Sequence, residues 1–437
     1  MNEAQTEFIE VHQLQIGMFI ELELGWMSHP FPKGSFKISS DKQIAVIREL
    51  GLKRIRYVPG KSELAARSSG AEAIESESAS SVSGEAEAKQ AVTETNSEEL
   101  RAGKQRRDLL AAQQRNMAMC ERRFAEAIRE HKMIVALVNS KPREAMEQCL
   151  GLVNTVVGEM LGEGDSAIRL LSEGMGDKAS LHPVNVTIVS LLLGKSLNLS
   201  QSDMVDLGMA AFLHDIGKSR LPDRVRWLEE NFSSSEYKLY QDHVGQSVTL
   251  AKRMGLTSGA LQAIAQHHEL VDGSGFPTRL KGDSLSLPAK ILALVNRYEN
   301  LCNPSRPAAA ITPHEALSLI FAQLKTRYDS VALSAFIRMM GVYPPGSIVQ
   351  LADERFALVV SVNSSRPLKP RVLVHDPHVS RHEALILDLE HAPNIGIRRS
   401  LKPASLPKAA MDYLSPRQRI CYFFEQEIEP PLAEVGI

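Results

Sequence analysis

Five of the chain's 13 histidines fall between positions 182 and 268, and each stands on, or at the end of, a stretch with helical apolar spacing. His182 opens one such stretch, with Val186, Val189 and Leu193 on the same face. His214 closes the next, whose apolar face carries Leu207 and Ala211; Asp215 follows at once, and Gly217 can stop the helix. His243 shares a face with Leu239 and Leu250, and His268, next to His267, shares one with Leu261, Ile264 and Ala265. A chain built this way has to bury its apolar faces together, and doing so turns imidazoles from four helices toward one interior point.

A single histidine on an apolar face is most often a hydrogen-bonded core residue. Five together, including a His-Asp pair and a His-His pair, point to metal, because neutral imidazole ligates intermediate transition metals and a carboxylate can bridge two of them. Asp215, directly after His214, is placed to bridge, which leaves different histidines for each ion. Two ions so held acidify a shared water and clamp phosphate oxygens during in-line displacement. Lys218 follows closely and has the charge to steady a phosphate or a leaving oxygen.

The rest of the 437 residues divides by composition into a multidomain chain. Residues 1–61 read as a small α+β unit with a regulatory role. Ile20, Leu22 and Leu24 alternate with Glu21 and Glu23, Ser40 and Gln43 make a capping box ahead of Ile44, Ile47 and Leu50, and residues 53–58 alternate again. Residues 62–100, rich in Ser, Ala and Glu, have almost nothing to bury and read as a disordered linker. Residues 101–132 read as a solvated connecting helix, and its loose stripe of Leu109, Met117, Cys120, Phe124 and Ile128 offers a homodimer surface. Residues 133–340 form the all-α core that carries the histidines. Residues 341–437 form a small β-rich appendage, with strands at SIVQL, RFALVVSV, RVLVHD and ALILDL.

A net charge of -2 gives no argument for a polynucleotide partner. Four cysteines far apart suit free thiols in a reducing compartment. MNEAQTEFIE lacks the basic and apolar regions of a signal peptide, and residues 186–199, interrupted by Lys195, are too short to span a bilayer. The expectation is a cytoplasmic protein with no membrane partner.

These motifs resemble a known family. His214-Asp215-Ile216-Gly217-Lys218 is similar to the HDxGK signature of HD-domain metal-dependent phosphohydrolases. His267-His268-Glu269, followed by Asp272-Gly273-Ser274-Gly275-Phe276-Pro277, resembles the HHExxDGxGYP block of the HD-GYP subfamily, and His243 falls where that subfamily has an intermediate histidine. The N-terminal segments LQIGMFIELELGWMSHPF and LGLKRIRYVPG resemble a domain of unknown function commonly fused ahead of HD-GYP domains. The resemblance implies hydrolysis of cyclic di-GMP in bacterial signalling with two divalent ions, iron or manganese. By position it implies His182, His214, Asp215, His243, His267, His268 and Asn296 as metal ligands, and Lys218 as the lysine near the phosphate. Arg306, Gly273 and Gly275 stand at matching dinucleotide-binding and turn positions.

Four positions depart from that pattern. Asn296, in N-R-Y-E-N-L, stands where the family has its last metal-binding aspartate; Phe276 replaces the signature tyrosine; Leu270 replaces a common arginine; and Ala309 replaces a second basic residue after Arg306. An amide oxygen ligates a metal more weakly than a carboxylate, and a lost charge-assisted phosphate contact costs about 1.5–3 kcal/mol. A second reading therefore stands beside hydrolysis: a degenerate HD-GYP module that binds nucleotide or a signalling protein partner without turnover. His375, His378, His382 and His391 read as solvent-exposed histidines, and Asp272 as a turn-stabilising residue that leaves Glu269 as an acid-base candidate.

Overall fold

Alternation along the first unit (residues 1–113 with 431–437) produces a four-stranded antiparallel sheet of order β1-β4-β2-β3. Its elements are β1 (Glu7–Glu10), β2 (Phe19–Glu21), β3 (Ser35–Lys37), α1 (Asp41–Glu49) and β4 (Arg54–Tyr57). Ile20, Ile38, Ile47 and Ile55 fill its core. At the start of α1, Ser40 Oγ accepts from Gln43 N at 3.4 Å, while Gln43 Oε1 takes Ser39 N at 2.7 Å, so the capping box is offset by one residue on its return half. The computed structural model describes residues 7–22, 35–50, 52, 54–62, 86–162, 166–171, 178–227, 232–363, 366–392 and 394–426.

Helix α2 (Ala86–Leu137) begins well before residue 101. Residues 86–100 have few apolar side chains to offer a core, but they are mostly good helix formers without Gly or Pro, and propensity settles the stretch that composition left open. The remainder of the expected linker, residues 63–85, lies outside the described residues. Further along α2, Cys120, Phe124 and Ile128 are buried within the second unit (residues 114–430), so that part of the stripe is consumed inside the chain and does not face a second copy. Leu109 stays 43% exposed.

The second unit continues with α3 (Pro142–Met160), β5 (Ser166–Leu170), α4 (Lys178–Ser196), α5 (Gln201–Leu213), α6 (Ser234–Met254), α7 (Ser258–Gln266), α8 (Leu287–Cys302), α9 (Pro313–Leu324) and α10 (Ser330–Met340). It ends with β6 (Ile348–Leu351), β7 (Phe356–Asn363), β8 (Arg371–Val374), β9 (Ile386–Asp388), β10 (Ile397–Leu401), α11 (Lys408–Leu414) and β11 (Tyr422–Gln426). Helix α4 is the axis of the bundle: every residue from 180 to 194 is buried. Each fully buried Leu, Ile or Val there contributes about 1.5–3 kcal/mol. A Ser233–Glu236 capping box starts α6, and Gly255 ends it in the left-handed region (φ 91°), the conformation that favours glycine at this site.

The four expected strands of the β-rich region all form, but they do not stand apart from the bundle. The seven-stranded sheet runs β10-β6-β7-β5-β11, with β8 and β9 branching from β7, so β5 from within the helical stretch lies between β7 and β11. The four cysteines are free and buried. Among the described residues no helix is long and apolar enough to cross a membrane.

Candidate metal centre

Helix ends aim the histidines. His214 caps the C-terminus of α5, and Asp215 leads into a tight turn at Ile216–Arg220. A Cβ on Gly217 would lie 2.3 Å from the His243 carbonyl oxygen and 2.5 Å from Ser247 N, so this glycine lets the turn close onto α6. His243 faces inward with Tyr240, Val244 and Ser247. Leu239, expected on that face, is 38% exposed, because the buried arc of α6 passes through Tyr240 instead. His267 caps α7 and His268 follows it; His182 lies in the second turn of α4.

Each of four imidazoles has its Nδ1 committed. His214 Nδ1 donates to Ala211 O at 2.8 Å, His267 Nδ1 to Ile264 O at 2.7 Å, and His243 Nδ1 to Tyr240 O, each using the carbonyl three residues back in its own helix. His182 Nδ1 donates to Glu299 Oε2. With Nδ1 protonated, each Nε2 presents a lone pair. The His182 and His214 Nε2 atoms lie 3.1 Å apart, and those of His243 and His267 lie 3.3 Å apart. Facing lone pairs repel unless a proton or a metal cation sits between them, and two nitrogens each about 2.0–2.1 Å from one ion adopt this kind of separation.

Asp215 stands between the pairs. Its Oδ2 is 3.4 Å from both His182 Nε2 and His214 Nε2, while its Oδ1 is 3.4 Å from His243 Nε2 and 3.8 Å from His267 Nε2. His268 completes the second group, and in each group the ligand atoms lie within 4.8 Å of one another. Asp215 Oδ1 and His268 Nε2 are buried atoms without a hydrogen-bond partner. Such orphans are costly unless something binds them. The donor set, five imidazoles and one shared carboxylate, fits a pair of divalent transition-metal ions.

The electrostatics agree. Burial lowers His243 to about 4, and burial together with neighbouring histidines holds His267 and His268 well below the usual range, so these rings are neutral ligands at physiological pH. Burial opposes charge on Asp215, but His214 and Lys218 outweigh it and hold the carboxyl well below its ordinary value. Lys218 is itself buried, its Nζ 2.6 Å from Asp215 Oδ2 and packed over the Trp227 and Tyr240 rings at 5.1 and 5.4 Å.

The loop after α7 forms a roof on the His268 side. Phe276 stacks on His268 with centroids 4.5 Å apart, and Phe276 N donates to His268 O at 3.1 Å. A Cβ on Gly275 would lie 2.5 Å from Glu269 Cα, His268 O and Leu270 N, and Gly273 holds φ 80°. Glu269 is 1% exposed and accepts from Thr278 N, Thr278 Oγ1, Arg279 N and Leu280 N at 2.6–3.1 Å. It is a loop staple, and Asp272 serves the same purpose for Ser274. A cavity of 330 Å³ beside this roof is lined by Tyr237, Gln241, Phe276 and Arg279 among others. Asn296 is buried on α8, where its Oδ1 accepts from Asn300 Nδ2 at 2.7 Å. Arg306 lies exposed at the start of a one-turn helix, Pro307–Ala309.

Residues 167–331 match the family model of the HD domain. That match runs from β5 to the start of α10 and takes in all five clustered histidines. Residues 7–149 match a domain of unknown function, DUF3391, so the HD domain follows a partner domain whose match runs through α2 into α3. A Pseudomonas aeruginosa protein named as a cyclic di-GMP phosphodiesterase is 25% identical over 374 residues, covering 84% of this chain and 84% of its own length. A Xanthomonas campestris response regulator named for the same activity is 31% identical over 153 residues, 34% of this chain and 40% of its own. A Vibrio cholerae protein named as a 3'3'-cGAMP-specific phosphodiesterase is 26% identical over 164 residues, 37% of this chain and 35% of its own.

Within the HD domain, reasoning from the sequence missed Glu299, the acid of N-R-Y-E-N-L one helical turn after Asn296, and Arg279 just beyond the glycine loop. It also missed a second gathering of ligand-type residues in the β-rich region. Asp388 and Glu390 approach His391 there, and that histidine is solvent-exposed, as expected.

Proposed function

We propose that this HD domain is a metal-dependent phosphodiesterase acting on a 3'5'-linked cyclic dinucleotide, cyclic di-GMP first. The observation that carries the reading is Asp215, with one oxygen toward His182 and His214 and the other toward His243 and His267. His182, His214 and Asp215 would hold one ion, and Asp215, His243, His267 and His268 the other, a set suited to divalent transition metals, for which the family resemblance implies iron or manganese. When bound, such ions supply Lewis acidity toward a phosphodiester and acidify water at neutral pH. Lys218 keeps Asp215 ionised and adds positive charge where the phosphate's negative charge concentrates. Phe276, Gly273 and Gly275 shape the cavity wall, Arg279 offers a guanidinium within it, and Arg306 supplies a further cation for the dinucleotide. The relatives' two named substrate types make cyclic di-GMP and 3'3'-cGAMP the pair to compare.

The test is anaerobic purification, loading with iron or manganese, and incubation with each dinucleotide while following linear dinucleotide and mononucleotide. Turnover of cyclic di-GMP at least as fast as 3'3'-cGAMP is expected; no turnover of either by protein carrying two ions overturns the reading. A binding-only module is the second reading, favoured by Asn296, whose uncharged amide is already engaged by Asn300. Asn296→Asp separates the two: activity arising from zero marks a module that has lost catalysis, and little change marks an enzyme.

A further inference from the structure

His182 differs from its partners in one respect. His214, His243 and His267 each fix their ring with a carbonyl of their own helix, whereas His182 relies on the carboxylate of Glu299, from α8. Glu299 Oε1 in turn accepts from Asn303 Nδ2 at 2.9 Å and from Asn185 Nδ2 at 3.4 Å. Both amides are also bound to the backbone that leads into β11. Asn303 Nδ2 and Asn185 Nδ2 each donate to Ile420 O at 2.8 Å, Ile420 N donates to Asn303 Oδ1 at 2.8 Å, and Tyr422 N donates to Asn185 Oδ1 at 2.9 Å. The other edge of the same segment is tied down, with Leu171 N donating to Cys421 O at 2.9 Å and β11 paired along β5. Asn185, Glu299, Ile420 and Tyr422 are at most 5% exposed.

We propose that Asn185 and Asn303 are positioning residues for His182, with the C-terminal segment Ile420–Tyr422 as the template that orients them. An asparagine has one acceptor oxygen and two N–H groups, and each of these amides places that oxygen and its NH2 on backbone and carboxylate at once. Rotating either amide would break strand contacts and release Glu299 together. The C-terminal strand is thereby part of the metal centre although it supplies no ligand, and its influence is confined to one half: the His182 and His214 side depends on it, and the His243, His267 and His268 side does not. This rests on the two-ion reading above.

The experiment uses the full chain, purified anaerobically and loaded with manganese, with metal content by elemental analysis and electron paramagnetic resonance of the bound Mn(II). Wild type is expected to hold two ions with a spin-coupled signal. Asn303→Ala and Asn185→Ala are expected to weaken one ion by about 10-fold, the lower end of what removing a direct outer partner such as Glu299 costs. They should leave the other ion in place, with the signal of isolated Mn(II) and a cooperative unfolding transition. Asn303→Asp keeps the acceptor for Ile420 N but sets a carboxylate against Glu299, so it should give the same one-sided loss even if the alanine variant fails to fold. Two coupled ions at wild-type affinity in these variants, or both ions lost in equal measure, overturn the proposal. A wild type that binds fewer than two ions overturns the two-ion reading itself, and the clamp with it.

Discussion

Among its described residues the second unit contains two gatherings of ligand-type side chains, and they make an instructive contrast. Around Asp215, four histidines are buried and have their Nδ1 protons committed elsewhere, the fifth, His268, is half-buried, and Asp215 Oδ1 and His268 Nε2 are buried atoms with no hydrogen-bond partner. Around Asp388, the ligand atoms of Asp388, Glu390 and His391 also come within 4.8 Å of one another. Yet Asp388 is paired with Arg371 at 3.0 Å, Glu390 is paired with Arg366, and the His391 side chain is 68% exposed. Residue types and proximity are shared. What differs is whether the surroundings leave lone pairs facing one another with nothing to satisfy them, which burial makes costly and water makes cheap.

The largest way to break the contrast is Asp215→Asn. The amide has nearly the shape of the carboxylate but carries no charge, and its NH2 would point N–H groups at lone pairs on one side of the cluster. Both ions should be lost, and turnover should fall by more than the roughly 100-fold that removing an outer partner costs. Elemental analysis beside a cyclic di-GMP assay checks this. A variant that retains both ions would mean that Asp215 does not bridge.

A smaller effect is expected from Gly275→Ala, which leaves every ligand in place. Its Cβ meets backbone of the His268–Leu270 stretch at 2.5 Å, so the loop must lift, and with it Phe276 from the face of His268. Such overpacking costs about 1–3 kcal/mol of stability. Metal affinity should fall on the His268 side with the His182 side retained, the mirror image of the loss expected from Asn303. Thermal unfolding and metal titration read the two effects separately.

How much of this could be read in the sequence follows from range. The histidines announced themselves because helical spacing and adjacent His-Asp and His-His pairs are local facts, and the strands of residues 348–388 did so as short apolar runs rich in Val, Ile and Leu. Strand β5 did not: it is a short segment whose pairing partners, Asn363 with Ala167 and Tyr422 with Leu170, lie far along the chain. Glu299 carries no sign of its role until α8 packs beside α4, and Leu239 satisfied the spacing rule while lying just outside the buried arc. The start of α2 was misplaced for another reason, since low apolar content argued for disorder while Ala, Glu and Lys favoured helix.

The smallest effect sharpens the contrast from its other side. Asp388→Asn combined with His391→Ala removes two of the three ligand-type groups in the exposed gathering. Arg371 keeps a second carboxylate, Glu425 Oε1 at 3.3 Å, so the lost pairing is partly replaced from β11. Exposed or half-exposed pairs contribute about 0–1 kcal/mol, and the unfolding midpoint should move correspondingly little. Metal content should stay at two ions and turnover should match wild type, because nothing in this gathering leaves a buried lone pair for an ion to satisfy. Loss of an ion in this variant would show that proximity alone can make a site in this protein, and it would remove the physical ground for separating the two clusters.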